Sequence, residues 1–533
     1  MGKQLDPVSY LEQGFGDFAE LIAAHASNQP DRIALREGEE QLTWSETAAL
    51  VHRIAAQLQA DGLKRGQAVS ILGTTTVHYA LAYLAAIVAG GCAAPLTTSA
   101  TPAQLSAMMA DSGASHLFID SAKRAELADS GIALPPLKHV LLDRAAVDAP
   151  IMGEWMAAAG TRLVNAAAQP DDPFNIIYSS GTTGTPKGIV HSHQMRWYQM
   201  AVGEAAGYGK PGQFSLLSTP LYSNTTLAMF LATMAYGGSA VLMRKFDCQR
   251  WLQLAESLPA THTMLVPVQY QRLMDFEGFD DYDLGSLQLK NCTSAPFSAE
   301  LKAEVLERMP GKLIEIYSMT EGGVVCLLLA HLYPDKLHTV GVAWGGSEVI
   351  TIDEDLKRLP AGEMGELVGR SRTMMSGYQN QPDKTEEASW YDENGDRWQR
   401  MGDIGSVDVD GFITLMGRSK DMIISGGFNI YPRDLEEVLL GLPGVIDAAV
   451  IGVPSKQWGE TPLGFVVTEK GAGIDLQEVL AKANAGLGKT QRLSALREID
   501  ELPRSHIGKI LKIELRELLE EAGSSPNDTS SVS

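Results

Sequence analysis

The chain has 533 residues and is 45% hydrophobic, which predicts a globular protein of about two to four domains with ample core. Its formal net charge of -22 disfavours nucleic acid and anionic membranes as partners, because both reward clustered Lys and Arg. Cys92, Cys248, Cys292 and Cys326 lie too far apart in sequence for zinc-ligand spacing or a secreted disulfide framework. We expect these four residues to be reduced thiols in the core.

The first residues, MGKQLDPVSYLEQGFGDF, lack the basic and apolar regions of a signal peptide, so the expected location is the cytoplasm. The longest apolar run, ALAYLAAIVAGGCAAPL at 80–96, is interrupted by a glycine pair and is short for a bilayer span. We therefore expect a buried helix there and no integral membrane association.

The first part of the chain alternates helical patterns with short apolar runs, which is typical of parallel sheets covered by helices. The segment 44–66 has a helical period, with Ser45 as the predicted N-cap and Gly62 as a stop. The apolar runs QAVSILG at 67–73 and HLFI at 116–119 predict buried strands.

From about residue 340 the pattern changes to short strands with turn signals, as in GELVGRS and GSVDVDGFITLMG, which favours a small barrel-like region. Further on, RDLEEVLLGL and LQEVLAKANAGL predict two helices with the strand DAAVIGVP between them. The predicted fold class is therefore α/β, with a large N-terminal domain of parallel-rich sheets covered by helices, a small barrel-like subdomain and a small mobile α+β C-terminal domain. The predicted boundaries are 1–419, 420–521 and a disordered tail at 522–533.

The segment YSSGTTGTPKG at 178–188 follows the apolar run FNIIY. Its glycines permit unusual backbone angles, and its hydroxyls, backbone N–H groups and Lys187 are donors suited to phosphate oxygens. It is not the P-loop of kinases and GTPases, because Lys187 follows Pro186 and precedes Gly188. The alternative for a generic loop of this composition is a solvated turn.

The order of residues in this loop resembles the signature phosphate loop of the acyl-adenylate-forming superfamily. That superfamily groups acyl- and aryl-CoA synthetases, the adenylation domains of nonribosomal peptide synthetases, and firefly luciferase. Further motifs in the family's order extend the resemblance from about residue 20 to about residue 515. The resemblance implies that ATP is bound by Ser179, Ser180, Gly181, Thr182, Thr183, Gly184 and Lys187.

The segment IYSMTEGG at 316–323 resembles the family's Tyr-Gly-Met-Thr-Glu motif. By that resemblance Tyr317 lies against adenine, Thr320 donates to the α-phosphate, and Glu321 holds a Mg²⁺ ion that bridges ATP oxygens. These residue types suit their ligands, because a hard cation such as Mg²⁺ prefers a carboxylate and a flat base such as adenine prefers an aromatic face. Taken alone, a Thr-Glu pair after a strand is typical of a helix cap.

Other segments carry the rest of the nucleotide site. MGDIG places Asp403 where the family has an acidic residue that accepts from both ribose hydroxyls, and GRSKD adds Arg418 as a ribose or phosphate partner. NCTSAPFS resembles the segment that borders adenine. The remaining residues assigned to the nucleotide are Ser294, Ala295, Pro296, Ser318 and Met319.

The C-terminal part resembles the family's mobile domain. Lys420 occupies the hinge position in KDMIISGGFNIYPRDLEE, and LPRSHIGKILK places Lys509 at the position of the adenylation lysine. The loop that lines the thiol tunnel corresponds to Ser425, Gly426 and Gly427.

The resemblance implies a ligase with two half-reactions, in which Mg-ATP converts a carboxylic acid to acyl-AMP and coenzyme A then accepts the acyl group. Many members of the family have His where this chain has Ser223, so the resemblance does not assign the gating role of that His to this chain. Polar groups among apolar ones favour an aromatic acid with ring oxygens, such as a hydroxycinnamate. The predicted pocket residues are Tyr222, Ser223, Asn224, Val268, Thr293, Gly322 and Val324.

Three alternatives stay open from the sequence. The acid could be a medium- or long-chain fatty acid, or the enzyme could stand alone and load a carrier protein instead of coenzyme A. A third class is a non-catalytic nucleotide-binding protein with this fold, which would be expected to have lost Glu321, Asp403 or Lys509. The expected partners are small molecules, with no nucleic acid, and a homodimer is left open.

Overall fold

The computed structural model describes residues 5–144, 146, 149–164, 167–179, 187–203, 209–425, 428–455, 458–469, 474–485, 487, 491–505 and 508–521. The chain divides into two compact units, the first formed by Met1–Glu348 with Gly369–Gln399 and the second by Val349–Val368 with Arg400–Ser533. The predicted domain boundaries at 419/420 and 521/522 stay predictions. The predicted tail at 522–533 lies outside the described residues.

Strands of the described residues are numbered in chain order. They are β1 (Ile33–Glu37), β2 (Glu40–Thr43), β3 (Ala68–Leu72), β4 (Cys92–Pro95), β5 (His116–Ile119), β6 (Lys138–Leu141), β7 (Pro173–Ser179), β8 (Lys187–Ser192), β9 (Phe214–Leu217), β10 (Ser239–Leu242), β11 (His262–Leu265), β12 (Leu289–Thr293), β13 (Lys312–Met319), β14 (Gly322–Leu329), β15 (Val342–Ala343), β16 (Glu348–Ile352), β17 (Gly365–Arg370), β18 (Gly377–Tyr378), β19 (Ser389–Tyr391), β20 (Arg397–Val407), β21 (Ile413–Arg418), β22 (Ile423–Ser425), β23 (Phe428–Ile430), β24 (Val445–Ser455), β25 (Gly459–Thr468) and β26 (Ala495–Glu498).

Helices of the described residues are numbered in the same way. They are α1 (Pro7–Leu11), α2 (Phe18–Asn28), α3 (Trp44–Ala60), α4 (Val77–Val88), α5 (Pro102–Ser112), α6 (Ser121–Asp129), α7 (Met152–Trp155), α8 (His193–Ala201), α9 (Asn224–Ala235), α10 (Cys248–Ser257), α11 (Pro267–Met274), α12 (Ala299–Arg308), α13 (Pro382–Glu387), α14 (Pro432–Leu440), α15 (Leu476–Ala485) and α16 (Lys512–Glu521). Short 3₁₀ turns occupy Phe279–Asp281 and Ser419–Asp421.

The larger sheet of the first unit has the strand order β15-β14-β13-β12-β11-β9-β10-β1-β2. Its strands from β13 to β1 pair in parallel, whereas β14, β15 and β2 join antiparallel at the two edges. Helices connect the parallel strands, as the alternation of the sequence predicts. Because parallel neighbours point the same way, the segments after β9, β11, β12 and β13 all lie at the carboxyl end of these strands.

The second sheet of this unit has the order β18-β8-β7-β4-β3-β5-β6. Strands β7, β4, β3, β5 and β6 pair in parallel, whereas β8 is antiparallel to β7, with Tyr178 opposite Gly188 and Ser179 opposite Lys187. The predicted phosphate loop therefore joins two strands of a hairpin. This arrangement differs from the P-loop, in which the loop leads from a strand into a helix.

The apolar run at 80–96 forms most of the buried helix α4, as predicted, and it also forms strand β4, which was not predicted. None of the described helices combines the length and apolar character needed to cross a bilayer. Cys92, Cys292 and Cys326 are buried free thiols, whereas Cys248, the first residue of α10, is only half-buried. The prediction of core thiols is therefore wrong for Cys248, because that side chain lies at the start of an amphipathic surface helix.

The second unit contains two sheets. In the first sheet β16, β17 and β20 are neighbours and β21 pairs antiparallel with β20, in the region where the sequence predicts short strands. In the other sheet the order is β23-β22-β25-β24, with β26 parallel to β25. Helices α14 and α15 bury Leu435, Leu439 and Val479 in one apolar cluster with Val450 and Leu496 of this sheet. This packing gives the α+β character that the sequence predicts for the C-terminal part.

Helix α3 begins at Trp44, earlier than a cap at Ser45 would allow. Thr43 is the N-cap: its hydroxyl accepts from Glu46 N at 3.2 Å, and Thr43 N donates to Glu46 Oε2 at 2.9 Å, which completes a capping box. Trp44 is fully buried as the first helical residue, whereas Ser45 lies exposed in the first turn. The prediction that Ser45 caps the helix is therefore wrong, because the buried Trp44 sets where the helix starts.

We expect Thr43→Ala to destabilise the first unit by about 1 kcal/mol, because it removes a side-chain acceptor for an otherwise unpaired helical N–H. Urea denaturation followed by tryptophan fluorescence measures this change in the free energy of unfolding. Ser45→Ala is the matched control and should change it by less than about 0.5 kcal/mol. An equal loss in the two variants would contradict the assigned cap.

Candidate functional site

The predicted residues of the first unit follow the carboxyl ends of four neighbouring parallel strands. Strand β9 ends at Leu217 shortly before the predicted acyl residues 222–224, and β11 ends at Leu265 shortly before Val268. Strands β12 and β13 end at Thr293 and Met319, inside the two predicted nucleotide segments. These segments therefore lie together at the carboxyl end of the parallel strands of the larger sheet, which is where ligands bind in open α/β sheets.

Thr320 and Glu321 form the turn between the antiparallel strands β13 and β14, so their alternative interpretation as a helix cap is wrong. Two hydrogen bonds hold the turn: His191 Nε2 lies 2.7 Å from Thr320 O, and Met375 N donates to Glu321 O at 2.8 Å. Gly322 has φ +82°, and a Cβ there would lie 2.7 Å from Met374 Cα. Only glycine fits at Gly322 without displacing the neighbouring backbone.

The Glu321 carboxylate belongs to a small polar cluster. Tyr378 donates its hydroxyl hydrogen to Glu321 Oε1 at 2.9 Å, and Lys187 Nζ lies 5.5 Å from the centroid of the Tyr378 ring. Burial and the charge of Glu321 raise the pKa of Tyr378 well above its usual value, so the phenol remains a donor at physiological pH. Tyr378 was not predicted, since its segment SGYQNQP carries only turn signals.

The carboxylate of Glu321 fits the predicted Mg²⁺ ion. Across the part of the chain that the structure describes, His, Cys, Asp and Glu form no group of three or more able to hold a metal. Mg²⁺ is commonly held by one or two carboxylates together with substrate phosphates and water, so a single carboxylate beside a phosphate site suits it. A dedicated all-protein cage is not needed.

The predicted adenine segment contains a strained residue. Ser294 has φ +83°, in the left-handed region, which costs a non-glycine residue on the order of 1–3 kcal/mol. The hydroxyls of Ser294 and Thr225 are 2.6 Å apart, and Thr293 donates its hydroxyl hydrogen to Ile316 O at 2.6 Å. These contacts tie the end of β12 to the start of α9 on one side and to β13 on the other. Of the next two residues, Ala295 is half-buried and Pro296 is exposed.

The motif on β13 is open to one side. Its residues Tyr317, Ser318, Met319, Thr320 and Glu321 are all half-buried, whereas the preceding strand residues 313–315 are buried. A ligand can therefore reach the motif, while the strand that carries it remains anchored in the core.

The predicted acyl residues differ in exposure. Tyr222, Asn224, Val268 and Thr293 are half-buried, and burial raises the pKa of Tyr222, so its hydroxyl remains neutral. The other members of the set, Ser223, Gly322 and Val324, are buried. Their roles in an acyl pocket stay predictions.

In the second unit the structure brings Asp403 and Arg418 together. They are directly opposite each other in the β20–β21 pair, and Arg418 Nε lies 2.8 Å from Asp403 Oδ1. Asp403 is buried, whereas the Arg418 side chain is 36% exposed. The ion pair orients the carboxylate that is predicted to accept from the ribose hydroxyls.

Lys509 lies on a tight turn of the second unit, with its side chain exposed. Ser505 N donates to Lys509 O at 2.8 Å and Gly508, with φ +76°, donates from N to Ser505 O at 2.8 Å. Arg504 supports the turn by donating from Nη1 to Gly508 O at 2.8 Å and from Nη2 to Asp447 Oδ2 at 2.7 Å. The backbone under Lys509 is therefore held in place, whereas the side chain that it carries is accessible.

The remaining predicted residues are placed only in part. Lys420 lies in the 3₁₀ turn Ser419–Asp421, and Ser425 is buried at the end of β22, opposite Phe428. Ser179 is the last residue of β7. Outside the described residues lie Ser180, Gly181, Thr182, Thr183, Gly184, Gly426 and Gly427, whose roles stay predictions.

We expect Gly322→Ala to reduce acyl-AMP formation strongly and to destabilise the first unit by more than about 2 kcal/mol, since a Cβ would both clash and disfavour the left-handed backbone. Gly113→Ala is the matched control, because Gly113 has φ +63° with nothing within 4 Å of an added Cβ. Urea denaturation and pyrophosphate release measure the two effects. Equal stability losses in the two variants would contradict the close packing at Gly322.

Two family models match the chain. The AMP-binding enzyme model matches residues 22–379, and the model of the AMP-binding enzyme C-terminal domain matches residues 434–509. The first match contains the motif segments at 178–188, 291–298 and 316–323, and the second ends at Lys509, whereas Asp403, Arg418 and the loop that begins at Ser425 lie between the two matched ranges. The two matches agree with the resemblance that the sequence motifs indicate.

Two curated relatives and one solved structure are similar over nearly their full lengths. Feruloyl-CoA synthase of an Amycolatopsis species is 32% identical over 508 residues, covering 95% of this chain and 99% of the relative. The 4-coumarate–CoA ligase 5 of Oryza sativa subsp. japonica is 31% identical over 511 residues, covering 93% of each chain. The crystal structure of ATP-bound MatB from Rhodopseudomonas palustris matches with a TM-score of 0.83 and 28% identity, covering 95% of this chain and 100% of that one. The predicted α/β fold with a separate C-terminal domain is thereby confirmed.

Proposed function

This chain belongs to the AMP-binding enzyme family, the acyl-adenylate-forming superfamily, and we propose that it joins an aromatic carboxylic acid to coenzyme A with the consumption of ATP. One observation supports the proposal: the residues predicted to hold the nucleotide and those predicted to line the acyl pocket follow neighbouring parallel strands at the carboxyl end of one sheet. We expect the enzyme to act in the cytoplasm on small molecules.

The proposed reaction has two half-reactions. In the first, a carboxylate oxygen of the acid bonds to the α-phosphorus of ATP, and pyrophosphate leaves. In the second, the sulfur of coenzyme A bonds to the acyl carbon, AMP leaves, and the thiol proton is released. The acid is activated because AMP is a much better leaving group than hydroxide.

The first half-reaction must overcome the repulsion between a carboxylate and a triphosphate, so catalysis depends on positive charge and on in-line positioning. Thr320 would donate its hydroxyl hydrogen to the α-phosphate, and Lys187 would donate from its ammonium to the outer phosphates. Lys509 would supply a third donor. One well-placed donor of this kind contributes about 3–4 kcal/mol at the barrier, or about a hundredfold to a thousandfold in rate.

Each of these residues has a support that suits its role. Thr320 lies in a turn held by His191 and by Met375, so its hydroxyl starts from an ordered backbone. Lys187 is placed over the Tyr378 ring, and this cation–π contact limits the motion of its ammonium. A bound Mg²⁺ at Glu321 would neutralise charge on the phosphate oxygens.

The two half-reactions need different residues near the acyl group, and we propose that the C-terminal domain alternates between them. In the first state Lys509 serves adenylation; in the second, the loop at Ser425, Gly426 and Gly427 lines the path of the thiol. Lys420 would be the hinge. Two states of one domain allow a single acyl site to serve both steps.

An aromatic acid with ring oxygens is supported by two independent observations. The half-buried predicted acyl residues include Tyr222, Asn224 and Thr293, whose polar groups suit ring oxygens better than they suit an alkyl chain. The relatives named feruloyl-CoA synthase and 4-coumarate–CoA ligase are at least 31% identical over more than nine-tenths of the chain. A hydroxycinnamate satisfies both.

We expect Lys509→Ala to lower the rate of acyl-AMP formation by at least about a hundredfold, because it removes a charged donor from the first transition state. Conversion of supplied acyl-AMP to the thioester should stay within about threefold of the wild-type rate, because that step has a good leaving group. Rapid-quench assays measure the two half-reactions separately.

Lys482→Ala is the control for this variant. Lys482 also lies in the C-terminal domain, on the exposed face of α15, where it pairs with Glu478 at 2.7 Å. It should leave both half-reactions unchanged. Equal losses in the two half-reactions of Lys509→Ala would refute the division of labour.

A panel of acids tests the proposed substrate class. With ATP, Mg²⁺ and coenzyme A, we expect kcat/KM for ferulate and 4-coumarate to exceed that for octanoate and palmitate by at least about tenfold. Cinnamate, which lacks ring oxygens, should fall between them. Without coenzyme A, about one equivalent of pyrophosphate per equivalent of enzyme should be released. Preference for a fatty acid, or transfer to a carrier protein but not to coenzyme A, would overturn the proposal.

A further inference from the structure

Arg196 lies at the centre of a buried polar network that no sequence motif indicated. Its side chain is on α8 and is completely buried. Its guanidinium donates from Nε to Asn175 Oδ1 at 2.8 Å, from Nη1 to Gln199 Oε1 at 2.6 Å, and from Nη2 to Asn224 Oδ1 at 2.8 Å. Nη2 also lies 2.9 Å from His191 Nδ1. One cation is thus shared among four neutral side chains.

The first branch of this network reaches the Thr320–Glu321 turn. His191 Nε2 lies 2.7 Å from Thr320 O, and a carbonyl can only accept, so Nε2 carries the hydrogen. Nδ1 is then the acceptor for Arg196 Nη2 and for Asn175 Nδ2, which lies 3.0 Å away. Arg196 therefore fixes both the tautomer and the orientation of His191.

Burial and the neighbouring charge of Arg196 lower the pKa of His191 well below its usual value. The imidazole is consequently neutral at physiological pH, in agreement with the tautomer that its neighbours require. It acts as a rigid link between a cation and a backbone carbonyl, because neutral imidazole has one donor and one acceptor.

The second branch reaches the predicted acyl residues. Asn224 begins α9, and its Oδ1 accepts from Arg196, so its Nδ2 group is directed elsewhere as a donor. The next residue, Thr225, contacts the hydroxyl of the strained Ser294 at 2.6 Å. This branch therefore ends where the acyl side and the adenine side of the candidate site adjoin.

We propose that Arg196 is a positioning residue that couples the two substrate sides, orienting the Thr320–Glu321 turn through His191 and the donor group of Asn224 directly. The proposal rests on the proposed function, because it takes Thr320 to contact ATP and Asn224 to contact the acid. Binding of either substrate restricts the side chains of one branch. The guanidinium of Arg196, which both branches share, then restricts the side chains of the other branch. The reciprocal effect follows from linkage: the acid strengthens nucleotide binding by the same factor by which the nucleotide strengthens binding of the acid.

Calorimetry with two probes separates the branches. The nucleotide probe is α,β-methylene-ATP with Mg²⁺, and the acid probe is whichever acid of the panel the wild type adenylates fastest. We expect His191→Leu to weaken binding of the analogue about tenfold and Asn224→Leu to weaken binding of the acid about tenfold, each leaving the other probe unchanged. Arg196→Met should weaken both, and the effect of one probe on the affinity of the other should disappear.

Two further variants distinguish positioning from a merely structural role. In His191→Gln the amide nitrogen can still donate to Thr320 O, so binding of the analogue should recover to within about threefold of wild type. Gln199→Met is the matched control, since Gln199 accepts from Nη1 of the same guanidinium, whereas His191 and Asn224 both contact Nη2. It should leave both affinities and their coupling within about twofold of wild type.

Arg196→Lys covers the case in which Arg196→Met does not fold, because it keeps the charge but cannot reach both branches at once. The proposal is overturned if the Arg196 variants lower the melting temperature without changing either affinity or the coupling. It is also overturned if His191→Gln and His191→Leu bind the analogue equally. The analogue measurements need no acid, so they test the Arg196 network even if the proposed substrate class is wrong.

Discussion

The parallel pairing of β13, β12, β11 and β9 is the constraint on which the candidate site depends. Parallel neighbours end on the same side, so the pairing brings residues nearly 100 positions apart in sequence, such as Tyr222 and Glu321, to the carboxyl end of one sheet. Burial of the apolar residues of these strands stabilises the arrangement, and the polar residues that follow each strand are left at the rim. The turn after β13 and the strained residue after β12 adjust the backbone locally, at positions that the strand pairing already sets.

The family and the fold class were predictable because the informative residues are contiguous. The phosphate-loop residues, the Tyr317–Glu321 motif and the Asp403 and Arg418 segments each carry their chemistry within a few positions, and the alternation of apolar runs with helical periods indicated parallel sheets. The cap of α3 was mispredicted since Ser45 and Thr43 have equivalent capping chemistry, and only the burial of Trp44 decides between them. The exposure of Cys248 was missed for a similar reason, because burial is a property of the packed unit.

The residues that sequence reasoning missed are those whose meaning lies in long-range contacts. His191 and Thr320 are 129 positions apart, and Tyr378 and Glu321 are 57 apart. Neither pair has a spacing that local periodicity can detect. Arg196 sits on a helix between apolar residues, where a single charged side chain is usually assigned to the surface. The two histidines of VHSHQ were the one available signal, and they indicate polar chemistry without indicating a partner.

The roles proposed for Tyr317, Thr320 and Asn224 require the nucleotide to bind at the carboxyl end of the parallel strands of the larger sheet. A crystal structure of the protein with a non-hydrolysable feruloyl-adenylate analogue would locate it. The adenine ring should lie against Tyr317, the phosphate mimic within hydrogen-bonding distance of Thr320 Oγ1, and the acyl group beside Asn224. An adenylate bound away from the carboxyl ends of β12 and β13 would show that the site has been assigned to the wrong place.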